Sequence, residues 1–219
     1  MLRNTLNDNK IFFIPYIILL LIITPFLITV NKGELHILIN RYHSGFSDSL
    51  FALVTYMGDG LFMVFSALIL LFFSLRHFLF LLTTFLSTGL VTQILKRVFF
   101  EDSLRPSQFL KDADLYIVEG VDLLSGRSFP SGHATTAFAL FLCLALIIRN
   151  RYLKLVCFIL ACLTAFSRVY LSQHFLIDIT AGSIVGTTGA LAFYMLFYKK
   201  DRPWHAWKIQ KAFNHEHRA

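Results

Sequence analysis

Between Cys157 and Tyr198 only three residues carry a charge or titrate near neutral pH: Arg168, His174 and Asp178. Everything around them is apolar or uncharged, and ionisable groups in such a setting are costly and mark function. His174 and Asp178 are four residues apart, so on a helix they share a face and can meet. A carboxylate that accepts a hydrogen bond from one imidazole nitrogen fixes the tautomer and leaves the other nitrogen free to attack an electrophile. The plainer alternative is a buried Arg168–Asp178 pair that locks two helices together and does no chemistry.

A second histidine stands in a similar setting. The stretch "SFPSGHATTAF", Ser128 to Phe138, opens a long apolar run with a proline, a serine, a glycine and a histidine. Pro130 suits the first helical position. Ser131, Gly132 and His133 are then predicted to occupy the first turn, where backbone N–H groups lack partners and the helix dipole is positive. Such a start is an anion site, and glycine there lets an oxyanion approach the backbone closely. Lys96 and Arg105 flank the end of the preceding apolar run. Cations, a helix start and two histidines together describe a phosphate site with a nucleophile and an acid.

The elements that must position these groups are membrane helices. Of 219 residues, 56% are hydrophobic and 15% are charged, which excludes an ordinary soluble domain. Apolar runs extend from Ile11 to Val30, Leu61 to Ser74 (starting nearer Met57), Phe78 to Leu95, Ser131 to Ile148, Leu155 to Leu171 and Phe175 to Tyr198. The expected fold is all-α, a bundle of six transmembrane helices in a single domain, 1–219. Ile11–Val30 is long enough for a retained span and lacks a small-residue cleavage site after it. The segment 33–60 suits an interfacial helix on the outer surface, or a plain outer loop. With the N-terminus inside, twelve lysines and arginines fall in inner segments and eight in outer ones. That excess places both termini in the cytoplasm and the histidines on the outer face. The net charge of +7 is thereby read as topology and not as nucleic-acid binding.

Three stretches carry a resemblance to a known family: "KRVFFEDSLRP", "PSGH" at Pro130 to His133, and "SRVYLSQHFLID" from Ser167 to Asp178. In that order and topology they resemble the type 2 phosphatidic acid phosphatases, membrane enzymes related to the vanadium haloperoxidases. The second and third stretches match the family pattern fully. The first departs from it, with eight residues between Lys96 and Arg105, or seven from Arg97, where the family spacing is shorter. Lys96 is the chosen counterpart because it ends the third apolar run, with Arg97 as the alternative. The signature-bearing part covers about 96–190.

The resemblance implies a metal-independent lipid phosphatase without a cofactor. His174 would attack phosphorus, Asp178 would orient it, and His133 would protonate the leaving group. Lys96, Arg105, Ser131, Gly132 and Arg168 would bind the phosphate oxygens. The implied substrate is a lipid phosphate or pyrophosphate within the bilayer: phosphatidylglycerol phosphate, undecaprenyl pyrophosphate, phosphatidic acid or a lipid A phosphate. The small loops, with no soluble domain expected, suit a bacterial cytoplasmic membrane. A phosphotransferase of the same fold and a non-enzymatic anion-binding protein are the alternatives; a haloperoxidase is the weakest contender, its relatives being soluble. Oligomeric state is not legible.

Other polar residues are given no catalytic role. His36, His43 and His77 are read as solvated, as are Glu101, Asp102, Asp112, Asp114, Glu119 and Asp122. Cys143, Cys157 and Cys162 lie in apolar runs and form neither a disulfide framework nor a metal site. Gly182 and Gly186 suit a close helix approach. The tail, with Trp204, Trp207, Phe213, Lys208 and Lys211, reads as a segment touching anionic headgroups; His215 and His217 are assigned to a frayed end.

Overall fold

The structure is a computed structural model that describes residues 1–199, and the tail assignments above lie outside those residues. Among the described residues every regular element is helical. A short α1 (Leu2–Asp8) leads into α2 (Lys10–Thr29), and α3 (Lys32–Asn40) and α4 (Gly45–Val54) follow. A 3₁₀ turn at Thr55–Gly58 separates α4 from α5 (Gly60–Phe73), with a bend of 59° between the two halves. Then come α6 (Leu75–Ile94), which ends in a π-helical turn Leu95–Phe99, and the single turn α7 (Pro106–Phe109). After a long irregular segment the chain closes with α8 (Gly132–Ile147), α9 (Arg151–Tyr170) and α10 (Leu176–Tyr198).

Helices therefore stand at all six expected places, within a few residues of the expected limits. Not all six have the length of a span. Four (α2, α6 with its π turn, α9 and α10) are long and apolar enough to cross a membrane, and α4–α5 counted as one bent span makes a fifth. The helix of the second run, α5, starts at Gly60 and not near Met57, because the Asp59 carboxylate accepts from Leu61 N at 2.8 Å and caps the helix there.

α8 has 16 residues, short of the roughly 20 that span a hydrocarbon core. Its place in the bundle explains the difference. α6, α9 and α10 pack around it, and almost every residue from Ala134 to Leu146 is buried. A helix that is apolar all round and enclosed by neighbours need not meet lipid along its length.

α8 and α10 approach most closely at the two predicted glycines. A Cβ on Gly182 would lie 2.5 Å from Ser131 O, and one on Gly186 would strike Thr135 O and stand 2.9 Å from Ala139 N. These obstacles are backbone atoms that cannot swing aside. Gly186→Ala is expected to lower the thermal unfolding midpoint in detergent. Overpacking costs roughly 1–3 kcal/mol, which exceeds the gain of at most about 1 kcal/mol from alanine's helix propensity. An unchanged or raised midpoint would contradict the close approach.

At the opposite end from His133 and His174, Lys154 is buried. Its Nζ donates to Asp8 O at 2.9 Å and to Asn9 Oδ1 at 2.6 Å, tying α9 to the start of α2.

Candidate active site

His174 stands just before α10, in the turn that follows α9, and not on a helix as its spacing from Asp178 suggests. The two side chains meet nonetheless. Phe175 caps α10, Asp178 is the third residue of its first turn, and Asp178 Oδ2 reaches back to accept from Phe175 N at 3.0 Å. The same oxygen lies 3.3 Å from His174 Nδ1. The capping geometry of the helix start, more than helical periodicity, makes the pair.

A third member was invisible in the sequence. Ser128 is fully buried and its hydroxyl donates to Asp178 Oδ2 at 2.5 Å, while its Oγ lies 3.2 Å from His174 Nδ1. Both neighbours of Nδ1 thus serve as acceptors once Ser128 has given its own proton to the carboxylate. Nδ1 carries the ring proton and Nε2 keeps its lone pair. On that side stands Arg105, whose Nη1 lies 3.5 Å from Nε2 and donates to Gln173 O at 2.8 Å. The ring is only 2% exposed. Burial pushes its pKa down to about 4 against the raising effect of Asp178, with the Arg105 and Lys96 charges adding to the fall. His174 is neutral at neutral pH, the form a nucleophile needs.

Arg168 does not pair with Asp178, so the helix-locking alternative fails at this site. Its Nη1 donates to Thr55 Oγ1 at 2.8 Å, and its Nε is buried without a partner. His133 and Arg168 both line a cavity of about 340 Å³, together with Thr55, Asp59, Glu119 and Asp122. Gly58 is the close neighbour of His133: a Cβ there would sit 2.9 Å from His133 O. Lys96 lies in the π-helical turn after α6, half-buried, and its charge acts on Arg105, Arg168 and His174. Arg97 on the same turn is exposed. The structure brings Lys96 to the cluster and leaves Arg97 outside it.

The helix start differs from expectation by two residues. Pro130 precedes α8, which begins at Gly132, with Ser131 as the cap. Ser131 is extended, at φ −73° and ψ 119°, which a helix cannot include, and it is held there as the cap: its Oγ accepts from Ala134 N at 3.4 Å and its N donates to Asp178 O at 3.0 Å. Gly132 and His133 remain in the first turn, with N–H groups that have no intrahelical partner. A Cβ at Gly132 would meet nothing within 4 Å, so the space beside that turn is open.

Among the histidines read as solvated, His43 stacks on Tyr116 at 3.6 Å and His77 on Tyr198 at 6.2 Å. His36 overturns that reading: it is 2% exposed, and its Nε2 lies 3.2 Å from Ser172 Oγ in the turn that carries His174. Amphipathic patterning showed a helix here but not what it packs against.

A buried histidine oriented by a carboxylate and a half-buried second histidine stand with Lys96, Arg105 and Arg168 beside an open helix start, an arrangement with the chemistry to bind an anion. Known proteins share the arrangement of the chain. A crystal structure of a transmembrane PAP2-type phosphatidylglycerolphosphate phosphatase from Bacillus subtilis superposes with a TM-score of 0.68 at 20% identity, over 90% of this chain and 98% of that one. Aquifex aeolicus LpxE does so with a TM-score of 0.65 at 25% identity, over 76% and 94%. A lipid A 4'-phosphatase of Bacteroides thetaiotaomicron is 38% identical over 88 residues, which are 40% of this chain. The chain spans about two fifths (39%) of the length of that curated relative. The PAP2 superfamily model matches residues 77–202, which include every residue of the cluster described above and more than half of the sequence. This chain, with its histidines, cations and helix start in the family's order, belongs to the PAP2 superfamily.

Proposed function

We propose that the protein is a membrane lipid phosphatase that works through a phosphohistidine on His174. The observation that carries this reading is the His174 ring itself: Nδ1 is occupied by Ser128 and Asp178, and Nε2 keeps its lone pair facing the Arg105 guanidinium, 3.5 Å away. Nε2 attacks phosphorus, the bond from phosphorus to the lipid oxygen breaks, and that oxygen takes a proton from His133, which is protonated when the phosphate dianion binds beside it. The phosphorylated ring is cationic, and the Asp178 carboxylate beside Nδ1 stabilises it. Water then attacks phosphorus, His133 takes the water proton, and the N–P bond breaks to return inorganic phosphate and the free ring. Lys96, Arg105, Arg168 and the N–H groups of Gly132 and His133 hold the equatorial oxygens, where charge must be neutralised throughout the transfer. Ser131 contributes by capping the helix start that presents those N–H groups.

The lysine and arginine balance supports both termini cytoplasmic and the site on the periplasmic or extracellular face, and the bacterial source of the relatives supports an inner-membrane location. Among the four substrates named above, a lipid A phosphate is favoured, because the 88-residue match at 38% identity is to a lipid A 4'-phosphatase. Detergent-purified protein is expected to release inorganic phosphate from lipid A in the presence of EDTA, faster than from phosphatidylglycerol phosphate, undecaprenyl pyrophosphate or phosphatidic acid. Faster release from any of the other three would overturn the substrate assignment. No release from any of them by folded protein would overturn hydrolysis itself.

A further inference from the structure

α3 has no part in the family's three signatures, yet it grips the turn that carries His174 from both sides. On one side is Ser172, a non-glycine residue at φ +53°, in a left-handed conformation that costs on the order of 1 kcal/mol or more and persists only when its surroundings hold it. Its Oγ lies 3.2 Å from His36 Nε2 and 3.3 Å from Asn40 Nδ2. Asn40 is itself fixed, donating to Tyr116 O and accepting from Tyr116 N, both at 2.8 Å. On the other side is Phe175, 1% exposed. The His36 ring meets it edge-on at 5.5 Å and 76°, Phe109 meets it at 5.6 Å and 86°, and Lys32 Nζ sits 4.8 Å from its centroid. His174 lies between these two anchors.

The choice of histidine at position 36 needs a reason. Its Nδ1 is buried without a partner, and an unsatisfied buried polar atom costs about 1–3 kcal/mol. Leucine or phenylalanine would fill the same space without that cost. Only a flat ring with a nitrogen on its edge can both pack against Phe175 and bond Ser172. Burial holds the ring neutral, its pKa pushed down to about 4, so the contact persists at neutral pH.

We infer that His36 is a positioning residue: by bonding Ser172 and packing on Phe175 it holds the turn that aims His174 Nε2 at the phosphate site. For its effect on turnover the inference rests on the phosphatase reading; for its effect on the turn it does not. The test uses the full chain in detergent, with His36→Ala and His36→Gln measured on the lipid that the wild type hydrolyses best. Hydrogen exchange is followed at Gln173 and His174, whose N–H groups donate to Arg168 O at 2.9 and 3.0 Å. Because misplacing a reacting group by an ångström costs up to about 100-fold, His36→Ala is expected to lower kcat roughly 10–100-fold with KM within about twofold. Exchange at the two amides rises. His36→Gln, which can still reach Ser172, regains most of the rate and the protection.

A His36→Ala kcat within about twofold of wild type, glutamine no better than alanine, or unchanged exchange would each overturn the inference. If the alanine variant does not fold, His36→Phe replaces it. That variant keeps the ring against Phe175 and loses the bond to Ser172, and a normal kcat in it would equally overturn the inference. If the wild type releases phosphate from no lipid, the phosphatase reading fails, and the exchange data alone decide whether His36 holds the turn.

Discussion

His174→Ala is expected to release no inorganic phosphate above the buffer blank from any lipid that the wild-type protein hydrolyses. Losing a covalent nucleophile from a site built around it costs at least about 10⁴-fold in turnover. Among the described residues no other group stands ready to take over. His133 is the other histidine of the cluster, and in the proposed reaction it must move protons to and from the leaving and entering oxygens. The fold should survive the change, since Asp178 still accepts from Phe175 N and from Ser128 when the ring is gone. The variant should therefore elute and melt like a folded protein while being inert. A second readout separates mechanism from mere inactivity. Acid-sensitive, alkali-stable label from a ³²P-lipid should appear on the wild type after rapid quenching, as a phosphoramidate does, and be missing from His174→Ala. Near-normal phosphate release by the purified variant would sink the phosphohistidine mechanism.

Much of this site was legible in the sequence for a physical reason. Charged residues stand out in a chain where the membrane forbids them, so Arg168, His174 and Asp178 announce themselves within a long apolar stretch. Apolar run length likewise located helices at all six expected positions. What escaped were the relations that no spacing rule encodes. Ser128 meets Asp178 across 50 residues and His36 meets Ser172 across 136, contacts made by tertiary packing alone. Hydropathy also could not tell a helix facing lipid from one enclosed by others, which is why α8 was expected to be a full span although its 16 residues sit inside the bundle. The start of that helix was misplaced because proline favours the first turn only where the chain is otherwise free. Here Ser131 is held in an extended conformation as the cap, and that sets the boundary.

Asp178→Asn tests charge separately from geometry. Asp178 Oδ2 faces three donors: Ser128 Oγ–H, Phe175 N–H and His174 Nδ1–H. An asparagine can satisfy them only by turning its carbonyl oxygen into that position, since an amide NH₂ there would oppose donor to donor. The tautomer of His174 is then retained, and Nε2 still presents its lone pair. What disappears is the negative charge beside a ring that becomes cationic as the N–P bond forms. Opposite unit charges about 4 Å apart are worth roughly 4 kcal/mol at an effective dielectric of about 20, or roughly 10³-fold in rate. Asp178→Asn is therefore expected to lower kcat about 10³-fold. Binding of substrate should be unchanged or tighter, because the lost charge repelled the phosphate. The carboxylate also supports protonation of His174, so without it the ring pKa falls further below about 4. The loss of rate is then not rescued at higher pH, as it would be if the variant had trapped the ring in its protonated form. Steady-state kinetics on the preferred lipid from pH 5 to 9 measure all three quantities. A kcat within about tenfold of wild type would show that Asp178 serves only as a cap for α10 and a brace for the turn.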